Sequence, residues 1–475
     1  MNLTLVSRIL TKYFPHQPTE GQAQLIQTFG QFLNDEEKNK AFVLKGYAGT
    51  GKTSFVQSLV KSLPTMKMRT VLMAPTGRAA KVLQQYSGSQ AFTIHKKIYF
   101  NQMNKSGQLI SRLKENKHRN TLFIVDEASM VQGIQSGASG QLFGKQDILS
   151  DLIEFVYNEQ HCYLMLIGDT AQLPPVGLDL SPALDLDELK LFFNLKIHQI
   201  ELTEVVRQQH DSGILENATQ IRNQIRNHDF KAPFFQLAHF DDIIALNGED
   251  LEDALNQAYS QHGEENVVII TRSNKRANIF NREIRNRILF REGTIQSGDL
   301  MMVVKNNYHW LSEESKAGFI ANGDIIEILN LKAYQSFYGF EFAEVSVRMV
   351  DYPDEPELDV VLILDTIMSE GPALSFEDNN KLFNEVMKDY AHLRGRSAKV
   401  NATKANPYFN ALQVKFANAM TCHKTQGGQW DIVFVEQGYV TDEMINTEYG
   451  RWLYTALTRA TKKLYLLNFK AAFFG

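Results

Sequence analysis

The sequence predicts an α/β protein with two parallel β-sheets, and two sets of short apolar segments carry this prediction. Each segment has four or five residues that are almost all apolar, as is typical of parallel strands covered on both faces. The segments begin at Ala41, Thr70, Leu122 and Tyr163 in the first set and at Val267, Ile432 and Leu464 in the second. A chain of 475 residues is too long for one core, so we expect one sheet before and one after about residue 205.

Residues 301–410 differ in pattern from the segments on either side. The stretch from Gly339 to Val350 alternates apolar and polar residues, which is the period of an antiparallel strand with one solvated face. Asn322 and Gly323 form a typical turn pair between two apolar runs. Residues 369–401 are polar and favour helix. We therefore expect a small β module with a helical arm, inserted into the second sheet domain.

The composition excludes several classes of protein. Hydrophobic residues make up 44% of the chain, charged residues 22%, and the net charge is −5, so any nucleic-acid partner would have to meet a local basic channel. The two cysteines, Cys162 and Cys422, lack the spacing of a zinc site or a disulfide framework. No apolar run is long enough to span a membrane, and no signal peptide is recognisable. We expect a cytoplasmic monomer with no membrane partner.

A phosphate-binding loop follows the first apolar segment. Gly46 to Thr53 fits the pattern G-x-x-x-x-G-K-[ST] and leads into a predicted helix that starts at Ser54. Glycines let backbone N–H groups surround a β-phosphate, a lysine reaches the β- and γ-oxygens, and a threonine hydroxyl can bind Mg²⁺. A chance glycine turn is the alternative. The predicted ATP contacts in this loop are Gly46, Ala48, Gly49, Thr50, Gly51, Lys52, Thr53 and Ser54, with Thr53 also a magnesium ligand.

Two later strands end in residues that complete a site for ATP hydrolysis. Asp126 and Glu127 follow the strand from Leu122, where Asp126 would hold Mg²⁺ and Glu127 would orient the attacking water. Gln172 follows the strand from Tyr163 and is placed to sense the γ-phosphate. Considered alone, the first pair could be a solvated strand end and the second segment a proline-stiffened loop. Together with the phosphate-binding loop, they predict ATP hydrolysis.

These motifs, in this order, resemble superfamily 1 helicases of the branch that contains RecD-like, Dda-like and Pif-family enzymes, and the resemblance covers nearly the whole chain. It implies two RecA-like domains, with a hairpin insert called the pin and an SH3-like insert. The implied bounds are 1–94 with 119–204 for the first domain, 95–118 for the pin, 205–300 with 411–475 for the second domain, and 301–410 for the SH3-like insert and its helical arm.

The resemblance also implies a function and further ATP-site residues. It implies a helicase that uses ATP and Mg²⁺ to unwind duplex DNA, moving 5′→3′ on single-stranded DNA. An RNA or RNA/DNA-hybrid helicase, or a P-loop ATPase that is not a motor, are the alternatives. Gln22 resembles the residue that reads adenine, although it also fits a helix capping box with Thr19. Arg207 and Arg459 lie in segments that resemble those whose arginines reach the γ-phosphate in the family. Gly427 ends a segment that resembles the family motif coupling the bound nucleotide to the nucleic-acid strand.

The remaining implied residues contact DNA. They are Pro75, Thr76, Arg78, His95, Tyr99, Phe100, Asn306, His423 and Lys424, with Tyr99 and Phe100 on the pin. A solvated loop is the alternative for the pin. Tyr308 and Trp310 would either stack on bases or pack the small β module. The sequence departs from its relatives at Gln429, where they usually carry a glutamate, so a ribose contact from that position is not implied.

Overall fold

The computed structural model of the chain describes residues 3–103, 109–133, 147–159, 161–175, 177–204, 212–227, 232–312, 315, 317 and 319–474. In the first half, the strands are β1 (Lys40–Gly46), β2 (Arg69–Ala74), β3 (Ala91–Thr93), β4 (Tyr99–Met103), β5 (Leu109–Leu113), β6 (Thr121–Val125), β7 (Cys162–Gly168) and β8 (Lys196–Leu202). The helices there are α1 (Leu3–Lys12), α2 (Glu20–Asn34), α3 (Lys52–Ser62), α4 (Gly77–Ser87), α5 (Ile94–Ile98), α6 (Ile148–Tyr157) and α7 (Leu186–Leu191).

The first sheet is entirely parallel and has the strand order β3-β2-β6-β7-β1-β8. Its central strands are buried on both faces, as their continuous apolar sequences predicted. In β1, Phe42 and Leu44 face one core while Ala41 and Val43 face the other. Strands β6, β7 and β1 are neighbours, so the loops that follow them meet at one edge of the sheet. The predicted hairpin is present as the antiparallel pair β4–β5.

The second half contains the remaining elements. The strands are β9 (Ile243–Leu246), β10 (Val267–Thr271), β11 (Leu300–Val303), β12 (Ile325–Phe337), β13 (Phe340–Met349), β14 (Leu358–Ile363), β15 (Leu412–Phe416), β16 (Ala419–Thr421), β17 (Trp430–Glu436) and β18 (Ala460–Leu467). The helices are α8 (Gly213–Arg226), α9 (Leu251–His262), α10 (Asn274–Glu283), α11 (Phe376–Asp389), α12 (Arg396–Ala405), α13 (Cys422–Thr425) and α14 (Thr447–Leu457). No helix in the described ranges is long and apolar enough to cross a lipid bilayer.

The second half folds into a second parallel sheet and a small barrel. The sheet has the order β16-β10-β17-β18-β9, and strands β11 to β15 close into the barrel between β10 and β16. The alternation predicted for β13 is observed, with inward residues buried and outward residues more exposed. The helical arm, α11 and α12, connects β14 to β15. Because β15 pairs with β11 and β14, the barrel extends past residue 410, where the sequence placed its end.

The barrel rests against the first sheet domain at the N-terminus of α4. Lys81 of α4 forms an ion pair with Asp351 at 3.3 Å. A Cβ added at Gly77 would lie 2.5 Å from Oδ1 of Asp324 and 2.8 Å from Cβ of Ala321. Both barrel residues lie in the connection between β11 and β12. The barrel therefore belongs by sequence to the second sheet domain but packs closely on the first.

Candidate active site

The phosphate-binding loop is shaped by glycines with left-handed backbone conformations. Gly49 has φ +79° and Gly51 has φ +94°, a region that side chains other than glycine rarely adopt. Lys52 begins α3, and its Nζ donates to the carbonyls of Gly46 at 2.6 Å and Tyr47 at 2.8 Å. The next residue, Thr53, is exposed in the first turn of the helix. This loop thus presents backbone N–H groups, an ammonium and a hydroxyl at the positive end of a helix dipole.

Gln22 supports the loop from below. It is fully buried, and its Oε1 accepts from the backbone N–H of Thr19 while its Nε2 donates to the carbonyl of Thr50 at 3.3 Å. The capping box that the sequence indicated is therefore present. A Cβ at Gly51 would collide with Nε2 of Gln22 at 2.2 Å. Gln22 thus holds the loop in position at Thr50 and Gly51, and its contact with adenine stays a prediction.

Asp126 and Glu127 follow β6 at the same edge of the sheet. Asp126 accepts from the Tyr86 hydroxyl at 2.6 Å and from the backbone N–H of Glu127 at 2.9 Å. Glu127 has φ +53°, a strained conformation for a residue with a side chain and one that is concentrated at functional sites. Burial and the neighbouring Asp126 raise the pKa of Glu127, while Arg459 and Lys52 oppose that rise. A carboxylate with a raised pKa is a better proton acceptor, as a general base requires.

The loop after β7 adds Asp169 and Gln172. Asp169 is buried, and this burial raises its pKa against the opposing effects of Lys52 and of a hydrogen bond from Tyr454. Gln172 is also buried, and its Oε1 has no hydrogen-bond partner among the described residues. A buried amide oxygen without a partner costs about 1–3 kcal/mol. Oε1 of Gln172 is thus free among the described residues to accept a hydrogen bond from a ligand, and its contact with the nucleotide stays a prediction.

The second sheet domain reaches the same cleft through α14 and the residues after it. The hydroxyl of Tyr454 accepts from the phosphate-loop N–H of Ala48 at 3.0 Å and donates to Asp169 at 2.7 Å. Arg459 is buried and donates to the carbonyls of Thr455 and Gly428. Its charge acts on both Glu127 and Asp169. Arg207, the other predicted arginine, lies outside the described residues.

Gly427 is not at the phosphate-binding loop. It has φ +75°, and a Cβ there would lie 2.7 Å from Cβ of Ala79 and 3.3 Å from Oγ1 of Thr76. Glycine is required at this position because the chain turns in a left-handed conformation directly against α4. Gly427 thus forms a contact between the two sheet domains, and its contact with ATP stays a prediction.

A groove of about 620 Å³ runs between the two sheet domains and the barrel. Seven of the nine residues predicted to contact DNA line it: Pro75, Thr76, Arg78, His95, Asn306, His423 and Lys424. The groove therefore gathers residues that lie more than three hundred positions apart in the chain. Its lysines include Lys305, whose Nζ donates to Asn379 of the helical arm at 2.9 Å.

Lys424 places a buried charge in this groove. Its Nζ is buried and has no hydrogen-bond partner among the described residues. Burial, with a smaller effect of Lys415, lowers its pKa from 10.5 to about 8. Burying an ammonium without a partner is unfavourable, so a group that supplies negative charge would bind here with a gain in free energy. A phosphate of a nucleic-acid strand has this chemistry.

Two other residues predicted to contact DNA, Arg78 and Tyr99, interact with other side chains of the protein. The guanidinium of Arg78 lies 3.9 Å from the centre of the Trp430 ring, so Arg78 links α4 to β17 while it lines the groove. Tyr99 is buried in the core under the first sheet, and its hydroxyl donates to Asp151. The expectation that Tyr99 contacts DNA therefore does not agree with its position. Phe100, the next residue, is 42% exposed.

Sequence reasoning missed Tyr454, Tyr86 and Lys305. Tyr454 and Tyr86 lie in helices, and no local sequence pattern marks their hydrogen bonds to Ala48 and Asp126, which depend on how distant elements pack together. Lys305 adjoins Asn306, which was predicted from the resemblance. The segment that contains Tyr454 was identified for its arginine, and the spacing of Tyr454 and Arg459 on one helical segment was the available signal.

Two family models match the chain, one in each sheet domain. Residues 17–233 match an AAA domain, and residues 416–467 match a UvrD-like helicase C-terminal domain. The chain is similar to the ATP-dependent DNA helicase Dda of Enterobacteria phage T4, with 30% identity over 215 residues that cover 44% of this chain and 44% of Dda. It is also similar to the RecD2 DNA helicase of Deinococcus radiodurans, with 28% identity over 201 residues that cover 42% of this chain and 24% of RecD2.

The matches thus span less than half the length of these two curated relatives. Among solved structures, Bacteroides Pif1 in complex with ADP-AlF3 and single-stranded DNA has 15% identity and a TM-score of 0.47, with 94% of each chain covered. Over its matched segments the chain is thus similar to an AAA domain, to a UvrD-like helicase C-terminal domain and to the DNA helicases Dda and RecD2.

Proposed function

We propose that this chain is an ATP-dependent DNA helicase, which hydrolyses ATP to move along single-stranded DNA and separate a duplex. The observation that carries the proposal is the convergence of both sheet domains on one phosphate-binding loop. Lys52, Glu127 and Asp169 come from the first domain, and Tyr454 and Arg459 come from the second. A site divided in this way changes when the domains move, which is what a motor needs.

The residues divide the chemistry of hydrolysis among them. Lys52 neutralises the β- and γ-phosphates, and Arg459 stabilises the negative charge that develops in the transition state. Glu127 accepts the proton of the attacking water, and its strained backbone fixes the direction of its carboxylate. Thr53 and Asp126 offer the oxygen ligands that Mg²⁺ prefers, and the ion would neutralise phosphate charge. Arg207 is proposed as a second arginine at the γ-phosphate.

The groove and the ATP site are joined by direct hydrogen bonds. Gln426 lines the groove, and its Nε2 donates to the carbonyl of Leu173 at 2.7 Å. The N–H of Leu173 donates to Thr455 of α14 at 2.8 Å, and Arg459 is bonded to the same Thr455. Leu173 follows Gln172 in the chain. A shift of a nucleic-acid strand in the groove would therefore act on the γ-phosphate sensor through one hydrogen bond and on the arginine through three.

The alternatives account for fewer of these observations. A P-loop ATPase that is not a motor has no need for a second sheet domain that forms a hydrogen bond with the phosphate-binding loop. It also has no need for a groove in which the ammonium of Lys424 lacks a hydrogen-bond partner among the described residues. DNA rather than RNA, and 5′→3′ movement, are proposed from the resemblance to Dda and RecD2. The hairpin β4–β5, which contains Phe100, is proposed from the same resemblance as the pin that parts the strands of a duplex.

The test is the ATPase rate of the purified protein with no polynucleotide, with single-stranded DNA and with single-stranded RNA. We expect a large rise with DNA and no turnover in the Lys52→Ala variant, which removes charge from a partly solvated loop and leaves the fold intact. Equal rates in all three conditions would refute the motor. Duplexes with a single 5′ or 3′ tail then test direction, and unwinding of the 3′-tailed duplex alone would refute 5′→3′ movement.

A further inference from the structure

The barrel presents an aromatic pair to the groove. Tyr308 and Phe319 stack with their ring centres 4.7 Å apart and their planes 29° apart, and both line the groove. Phe319 is buried, whereas Tyr308 is 49% exposed. One face of the tyrosine ring therefore rests on the phenylalanine, and the side chain remains accessible from the groove.

The backbone beneath this pair is firmly held. Asn307 and Ile320 form an antiparallel bridge, with hydrogen bonds of 2.8 and 3.0 Å between them. Residues 308 and 319 are the next pair across that bridge, so their side chains lie side by side on one face. The Asn306 side chain accepts from the N–H of Asn322 at 2.7 Å. The pair is thus fixed before any ligand arrives, and stacking on it costs little conformational entropy.

Other aromatic residues nearby have purely structural roles. Trp310, two positions further on, donates its indole N–H to the carbonyl of Asn410 at 2.8 Å and packs against the barrel core. Tyr334 on β12 is as exposed as Tyr308, at 49%, but lies away from the groove. Of these three side chains, Tyr308 is the one that combines exposure, a supporting ring and a place in the groove.

We propose that Tyr308, supported by Phe319, is a stacking platform for an unpaired nucleobase of the strand in the groove. The proposal rests on the proposed function and deepens it. Lys424 and Lys305 line the same groove and offer charge to phosphates, whereas the aromatic pair offers a flat apolar surface to a base. Because every base has such a face, the platform favours single strands over paired ones without reading sequence.

The experiment measures affinity for a single-stranded deoxyoligonucleotide and for an abasic oligonucleotide of the same length. Stacking is worth about 1–3 kcal/mol per base, so Tyr308→Ala is expected to weaken binding of the normal strand by about 5- to 150-fold. Tyr308→Phe keeps the ring and is expected to bind within about twofold of the unchanged protein. Tyr334→Ala is the matched control and is expected to have no effect. On the abasic strand, Tyr308→Ala and the unchanged protein are expected to bind equally.

Two results would overturn the platform. One is unchanged affinity of Tyr308→Ala for the normal strand. The other is an equal loss on both strands by a variant whose melting temperature is unchanged, which would assign the tyrosine to the phosphates or to the groove shape. The platform and the motor fail separately. If DNA does not stimulate ATP hydrolysis but Tyr308→Ala still loses base-dependent affinity, the proposed function is wrong and the platform is right.

Discussion

Lys424 gives the prediction with the most direct physical basis, because its buried ammonium has no hydrogen-bond partner in the part of the chain that the structure describes. The fall of its pKa from 10.5 to about 8 corresponds to about 3 kcal/mol of unfavourable free energy for the charged form. A DNA phosphate beside Nζ would offset that energy, so DNA should bind the protonated protein and raise the pKa. Protonated Lys424 makes up about nine-tenths of the molecules at pH 7 and about one-tenth at pH 9, given a pKa of about 8.

The affinity for single-stranded DNA is therefore expected to fall about tenfold between pH 7 and pH 9. Lys424→Arg stays charged across this range and should remove the dependence. Lys424→Met should bind weakly at both values and reduce the slope of log affinity against log salt by about 0.7. Burial lowers the pKa of His95 and of His423, so both rings are neutral in this range and add no charge change.

Fluorescence anisotropy of a labelled oligonucleotide, at fixed ionic strength, measures these affinities. Burial also lowers the pKa of Lys305, so Lys305→Arg is the control and should leave the pH dependence of the groove in place. The same ammonium also destabilises the fold, because the unfolded chain binds the proton more tightly: stability is lost as the pH falls from 10.5 to about 8, and the loss is complete below that. Lys424→Met should therefore melt at a higher temperature at pH 7. Equal affinity of the unchanged protein at pH 7 and 9 would refute the reasoning.

Four further substitutions test the ATP site and the pin. Glu127→Gln should bind ATP normally and hydrolyse it about 10²- to 10⁴-fold more slowly, and a parallel loss of nucleotide binding would give Glu127 a structural role instead. Arg459→Ala should reduce DNA-stimulated turnover far more than ATP affinity, and normal hydrolysis of bound ATP would contradict its transition-state role. Phe100→Ala should slow duplex unwinding but leave the ATPase rate on single-stranded DNA unchanged; loss of both would point to folding. Tyr99→Phe should spare unwinding and lower stability by about 1 kcal/mol through its lost bond to Asp151, as chemical denaturation would measure.

Much of the fold could be predicted because the central strands are buried on both faces and read as continuous apolar runs. All seven predicted strands are present. The edge strand β8 was missed because its residues alternate and are partly exposed, and β3 has only three residues. The barrel was expected, but its closing strand β15 follows the helical arm and comes shortly before β16 of the second sheet, so the boundary placed at residue 410 separated it from the barrel.

The backbone of the candidate site could be predicted where one short motif determines it. The phosphate-binding loop is such a motif, and its strand and helix lie where the sequence put them. Contacts between the domains could not be predicted, because they depend on how two separate sheets dock. The bond from Tyr454 to Ala48 joins residues 406 positions apart, and the place of Gly427 against Ala79 arises in the same way.

The fit between Gly77 and the barrel limits how this chain can diverge. A glycine that follows Pro75 and Thr76 in a strand-binding motif is easily attributed to close approach of a nucleic acid. Here the space that a side chain would occupy is taken by the carboxylate of Asp324. We expect positions 77 and 324 to vary as a pair among descendants of this sequence. A lineage that keeps the aspartate has no room for a side chain at 77, and one that shortens residue 324 would also have to move Ala321, whose Cβ lies 2.8 Å from that space.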